Sequence, residues 1–172
     1  MANEKIKEIR VKAHNYENFS GCSQAVLLAL QEELNIGNTE TYKAATAFAG
    51  GVTRRGETCG ALIGALMALG IHEGREKKED MAKLQSTVSD GYTLSLEFMQ
   101  RLEKEYGMHT PLPSTLCRDL MKAIYGRSWN LADSTQRTDF IASGGHSDHG
   151  CLKVCGIAAE VTAEMIMKKR NG

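Results

Sequence analysis

Gly50-Gly51-Val52-Thr53-Arg54-Arg55-Gly56-Glu57-Thr58-Cys59-Gly60-Ala61-Leu62-Ile63-Gly64-Ala65-Leu66-Met67-Ala68-Leu69-Gly70 is a glycine-rich turn feeding a cysteine into a helix of small and apolar residues. Gly60, Ala61, Gly64, Ala65 and Ala68 leave one flank of that helix almost bare, so another helix or a cofactor can approach its backbone closely. The apolar run from Ala61 to Leu69 falls well short of the ~20 residues needed to cross a bilayer, which makes the segment a core helix and argues against membrane insertion. Cys59 falls in its first turn. Free N–H groups and the positive end of the helix dipole there predict an acidic thiol.

Helical periodicity continues on both sides. Ile6, Ile9, Val11, Ala13 and Tyr16 mark a first helix over Asn3–Tyr16, and Cys22 opens a second, mostly apolar one that Asn35-Ile36-Gly37 ends. Glu40 to Ala49 reads as a third. After the central helix a long one is expected from Arg75 to Tyr106, with a seam of Met81, Leu84, Val88, Tyr92, Met99, Leu102 and Tyr106. Cys117 lies in the first turn of a short helix over Thr115–Met121. Residues 126–150 are polar and irregular, a long loop or lid with Trp129 and Phe140 as its large anchors, and Cys151 to Lys169 closes the chain as a helix. The expectation is an all-α, single-domain bundle over residues 1–172, of about six helices, with an irregular loop before the C-terminal helix.

Composition narrows the function classes. Lys plus Arg and Asp plus Glu both number 21, so net charge gives no reason to expect nucleic acid or an anionic membrane as partner. The first residues lack the apolar core of a signal peptide, and a cytoplasmic location is expected. Five cysteines in a reducing compartment argue for metal or redox chemistry and against a disulfide framework. The seam of the long helix also offers a surface through which a homodimer would bury its apolar stripe.

Cys22, Cys59, Cys117 and Cys151 each fall at or within the first turn of an expected helix, although helix formation requires no cysteine there. If those helix starts converge, their N–H groups would support a group of thiolates, either a cluster or an activated dithiol. The alternative is that these are small buried hydrophobes. Cys155, one turn after Cys151, is open to three readings: a fifth ligand, a resolving thiol or core.

The segment from Asn18 to Leu30 with its cysteine, Gly50-Gly51 through Cys59-Gly60-Ala61-Leu62-Ile63-Gly64, Leu116-Cys117-Arg118-Asp119-Leu120 and Cys151-Leu152-Lys153 together resemble the redox-active family named for its C, GCAxxG, C, C pattern. That family is related to the non-haem part of split-Soret cytochromes. The resemblance implies iron–sulfur or other cysteine-held redox chemistry, with Cys22, Cys59, Cys117 and Cys151 as metal ligands, Gly60 beside the cofactor, and Cys155 an addition. The cluster type and the redox partner are left unspecified. The chain lacks Cys-x-x-Cys-His, so c-type haem is not expected.

Other residues allow narrower readings. His146 and His149 with Cys151 and Cys155 would be donors for zinc, at a spacing unlike a standard finger. Arg54 and Arg55 are placed either to hold an anion or raise a cluster's potential, or simply as a solvated turn. No phosphate-loop ending and no nucleophile elbow is present. Three functions remain: an iron–sulfur redox or electron-transfer protein, a metal-free dithiol/disulfide oxidoreductase, and a zinc-stabilised helical interaction module.

Overall fold

The computed structural model describes residues 2–171. Its elements are α1 (Ala2–Tyr16), α2 (Cys22–Leu34), α3 (Thr39–Ala44), a 3₁₀ turn (Thr46–Phe48), α4 (Gly60–Glu73), α5 (Met81–Glu105), α6 (Cys117–Tyr125), α7 (Ser134–Ala142) and α8 (Cys151–Asn171). The all-α expectation holds, but the described residues form eight α-helices where about six were expected. The additional one, α7, lies inside the segment expected to be irregular. Its signals are local: Asp133 caps it by accepting from the Gln136 N–H at 2.9 Å, and it buries Phe140 alone, so no apolar stripe announces it.

The main core is built by α1, α2, α4 and α8. Helix α8 packs on α1, α2, α4 and α5, and is apolar on most sides, with Val154, Ile157, Ala158, Val161 and Ile166 all buried. Helices α2 and α4 approach closely because Gly64 faces the Ser23 backbone, where any Cβ would collide with the carbonyl. At the rim, Arg10 of α1 binds Glu105 of α5 and Glu160 of α8, each at 2.6 Å, and Arg101 joins the same network through Glu160 and Glu164.

Two details of the long helix differ from expectation. It begins at Met81, where Asp80 accepts from the Lys83 N–H at 2.8 Å, because the preceding residues are tied in a turn by Arg75 donating to the Lys78 carbonyl. Its buried seam is Gly91, Leu94, Phe98 and Leu102, while Met81, Val88, Tyr92 and Leu96 are exposed. Both stripes have helical spacing, and packing of α4 and α8 selects between them. Among the described residues no helix is long and apolar enough to cross a membrane.

A smaller second core lies beside the first. Met121, Trp129, Leu131 and Phe140 bury one another, with Tyr125 and the cysteines Cys117 and Cys151 packed against them. Tyr125, Trp129 and Phe140 make edge contacts at centroid distances of 5.4–5.7 Å, and Trp129 Nε1 donates to Asp139 at 2.7 Å. Trp129 and Phe140 thus anchor residues 126–150 as an ordered cap over one end of the bundle.

Candidate functional site

The cap and the bundle enclose a cavity of about 560 Å³ lined by all five cysteines. Cys22, Cys117 and Cys151 are the first residues of α2, α6 and α8, Cys59 is the N-cap residue of α4, and Cys155 follows one turn into α8. All five are free thiols.

Helix capping explains part of this arrangement. Helices α3, α5 and α7, which carry no cysteine, are capped by the side chains of Asn38, Asp80 and Asp133. The cysteine-bearing helices α2, α4 and α6 have no such cap: Gly21, Cys59 and Leu116 occupy those positions without a side-chain hydrogen bond. At α4 the first N–H groups are left for the Cys59 sulfur. The Ala61 and Leu62 N–H groups favour the ionised form of Cys59, and the Gly50 N–H does so for Cys22.

Two backbone devices hold the thiols in place. Thr58 and Leu116 form an antiparallel bridge, in which the Cys59 N–H donates to Thr115 O at 2.9 Å and the Cys117 N–H to Glu57 O at 2.7 Å. Before it, Gly50, Gly51, Val52, Thr53 and Arg54 all have φ between 53° and 70°, a full left-handed turn in which three of five residues carry side chains. Each non-glycine residue in that region costs roughly 1–2 kcal/mol. The turn is held by Thr53 N–H to Ala47 O at 2.8 Å, Arg54 N–H to Ala49 O at 3.0 Å and Glu57 N–H to Gly51 O at 2.9 Å. It brings the Gly50 N–H to Cys22 and Arg54 to the cavity wall.

Burial dominates the electrostatics. It pushes the thiols of Cys22, Cys151 and Cys155 far up and those of Cys59 and Cys117 up as well, with the other thiols and Glu17 adding to the rise at most of them. The expectation of an acidic Cys59 is corrected: desolvation outweighs the two N–H donors. The Cys155 thiol lies 3.8 Å from the Cys22 carbonyl, to which it donates.

Of the other expected site residues, Arg54 and His146 line the cavity, whereas Arg55 and His149 are exposed and lie outside its lining. Gly60 lies beneath Cys22, and a Cβ there would run into the Cys22 sulfur. Among the described residues, no three His, Cys, Asp or Glu side chains are grouped so as to hold a metal ion. Of the residues read as zinc donors, His146, Cys151 and Cys155 line the cavity and His149 lies outside its lining.

Sequence reasoning missed Glu17, which lines the cavity and is 4% exposed. A signal for it existed. Ile9, Ala13 and Glu17 step by four along the buried face of α1 and its last turn, so the carboxyl continues an apolar stripe. Arg137 and Phe140, also in the lining, come from α7 and could not be placed without that helix.

Residues 20–165 match the model of the family described as "Putative redox-active protein (C_GCAxxG_C_C)". The chain belongs to this family. Cys22, Cys59, Cys117 and Cys151, the four that stand at helix starts, all lie within the matched residues. No curated protein and no solved structure matches the chain. The family description supports redox activity and names no cofactor.

Proposed function

We propose that the chain is a cysteine-based redox protein in which Cys22, Cys59, Cys117 and Cys151 hold an iron–sulfur cluster. The observation that carries this reading is that four thiols from four separate helix starts line one cavity of about 560 Å³. Thiolate is the standard ligand of such clusters, and all four of these thiols line the same cavity. The residues present fit the group in two further ways. Backbone N–H groups of Gly50, Ala61 and Leu62 serve Cys22 and Cys59, and hydrogen bonds to ligand sulfurs are a main control of cluster potential. Gly60 leaves the space that the Cys22 sulfur occupies, where a Cβ would collide with it.

When bound, such a cluster supplies reversible one-electron chemistry. The chain's own residues pack the Trp129–Phe140 core against Cys117 and Cys151 and hold Cys59 and Cys117 in register through the Thr58–Leu116 bridge. They also place the cations Arg54 and Arg137 on the cavity wall. Iron and acid-labile sulfide analysis of anaerobically purified protein tests the reading. Iron and sulfide in near-equal amounts, lost in Cys59→Ala, support it; fully folded protein that is free of both and still shows a reversible two-electron thiol transition would overturn it in favour of dithiol/disulfide exchange.

A further inference from the structure

We propose that Glu17 is the proton-holding acid of the cysteine cavity and that His146 passes protons between it and solvent, so that an electron entering the site is balanced by a proton. The proposal rests on the redox reading above. Its geometric basis is a carboxyl group enclosed with five thiols. Glu17 is 4% exposed, and its Oε2 has no hydrogen-bond partner among the described residues. Its Oε1 lies 4.0 Å from His146 Nε2, and the His146 side chain is 41% exposed, reaching from the carboxyl to the surface. One bridging water or a small turn of the imidazole closes that gap.

The titratable and charged groups that share the cavity with Glu17 are Cys22 of α2, Cys59 at the start of α4, Cys117 of α6, Cys151 and Cys155 of α8, His146, and the wall residues Arg54 and Arg137. Neither arginine forms an ion pair with it among the described residues. A buried carboxyl without a cation beside it keeps its proton: burial pushes Glu17 up to about 8, and the neighbouring Cys155 thiol offsets this only in part. Burial also holds His146 below the ordinary imidazole range, so near neutral pH it is uncharged and can take a proton on one nitrogen while releasing one from the other.

The exchange balances simply. One electron from a one-electron reductant adds one negative charge to the cavity, which makes an ionised Glu17 costlier. Above pH about 8, where Glu17 is ionised, the carboxylate then takes one proton from His146, which regains it from water. The products are the reduced site and neutral carboxylic acid, with no net change of charge inside the cavity.

Two measurements test this on the full chain. Infrared spectroscopy across pH reads the carboxylic acid C=O band directly, without need of a redox centre. A band that fades near pH 8 in the wild type and is missing in Glu17→Gln is expected; its absence from the wild type overturns the assignment. Potentiometric titration with dithionite then reads the coupling. Above pH about 8 the wild-type midpoint should fall by about 59 mV per pH unit, the equivalent of a tenfold change in proton activity for one electron. Glu17→Gln should show a flat line there, and an unchanged slope in that variant overturns Glu17's role. In His146→Gln the slope should persist while proton uptake after reduction slows at least tenfold, and an unchanged rate overturns the relay. A chain with the infrared band but no reversible transition shows that the redox reading has failed and removes the coupling with it, leaving only the assignment of the acid.

Discussion

Cys59 and Cys117 each stand one residue past a partner of the same antiparallel bridge, Thr58 opposite Leu116. The N–H of each donates across that bridge, to Thr115 and Glu57 respectively, so two cysteines far apart in sequence have their helix starts fixed by one pair of extended residues. The two thiols should therefore act as a unit. Cys59→Ala and Cys117→Ala are each expected to lower iron retention at least tenfold, since loss of a ligand exceeds the ~10–100-fold cost of losing a ligand's supporting partner. The double variant should be little worse than either single one. Additive losses in metal analysis of the three proteins would show that the thiols act independently.

The same substitution at two glycines of α4 should have opposite signs. A Cβ at Gly60 would meet the Cys22 sulfur and lie 2.8 Å from the Phe48 carbonyl oxygen, whereas one at Gly70 has nothing within 4 Å. Gly60→Ala is expected to destabilise the chain by about 1–3 kcal/mol through overpacking. Gly70→Ala should stabilise it by about 0.5–1 kcal/mol through helix propensity. Urea unfolding of both variants decides the point, and equal signs would contradict the close approach of α4 to Cys22.

Thr53 is exposed, takes φ 53° and lies in the left-handed turn that delivers the Gly50 N–H to Cys22. Thr53→Gly removes roughly 1–2 kcal/mol of steric strain against roughly 0.5–1 kcal/mol of added chain entropy. A gain on the order of 0.5–1 kcal/mol is expected from the difference, read as a raised melting temperature. No gain would mean that the turn is unstrained.

The helices and the four helix-start cysteines were legible in the sequence because apolar periodicity and glycine stops are local signals. Two things were not. Helix α7 has a good cap at Asp133 but buries only Phe140, so periodicity passes over it and with it the origin of Arg137 in the cavity wall. The thiol acidity expected at Cys59 also failed, because a helix start reports N–H donors while desolvation depends on what the fold places on top. Along α5, Val88 and Tyr92 have the same spacing as Leu94 and Phe98, and only tertiary packing tells the exposed stripe from the buried one.

The cap over the cavity should open when its anchor is removed. Trp129 is 4% exposed, packs on Tyr125 and Phe140, and donates to Asp139 at 2.7 Å. Trp129→Ala is expected to cost the second core about 3–5 kcal/mol while leaving the packing of α1, α2, α4 and α8 intact. Iodoacetamide should then label Cys117 and Cys151, which pack against that core, at least tenfold faster. Cys155 lines the same cavity but is fully buried, so its labelling should rise less. Mass spectrometry of the labelled sites, with far-UV circular dichroism to confirm helix content, separates local opening from global unfolding. Equal acceleration at all three cysteines would show that the bundle itself had opened.

Glu17 should leave a mark on stability as well as on redox behaviour. Its carboxyl is raised from 4.5 to about 8 by burial, so the folded chain holds a proton that the unfolded chain has released over that interval. Stability tied to this group is complete below pH 4.5 and is lost as pH rises towards 8, at one proton's slope, on the order of 1 kcal/mol per pH unit. The paired carboxylates of Glu32, Glu33 and Glu105 are lowered by their Lys12 and Arg10 partners, so their contribution is present above 4.5 and lost as pH falls below it. The two effects occupy different windows. Between pH 5 and 8 the wild type should lose stability relative to Glu17→Gln, which keeps the neutral shape and cannot ionise, and the variant should exceed it at pH 9. Denaturant unfolding at each pH checks this, and parallel curves for the two proteins would show that Glu17 is ionised within the fold at neutral pH.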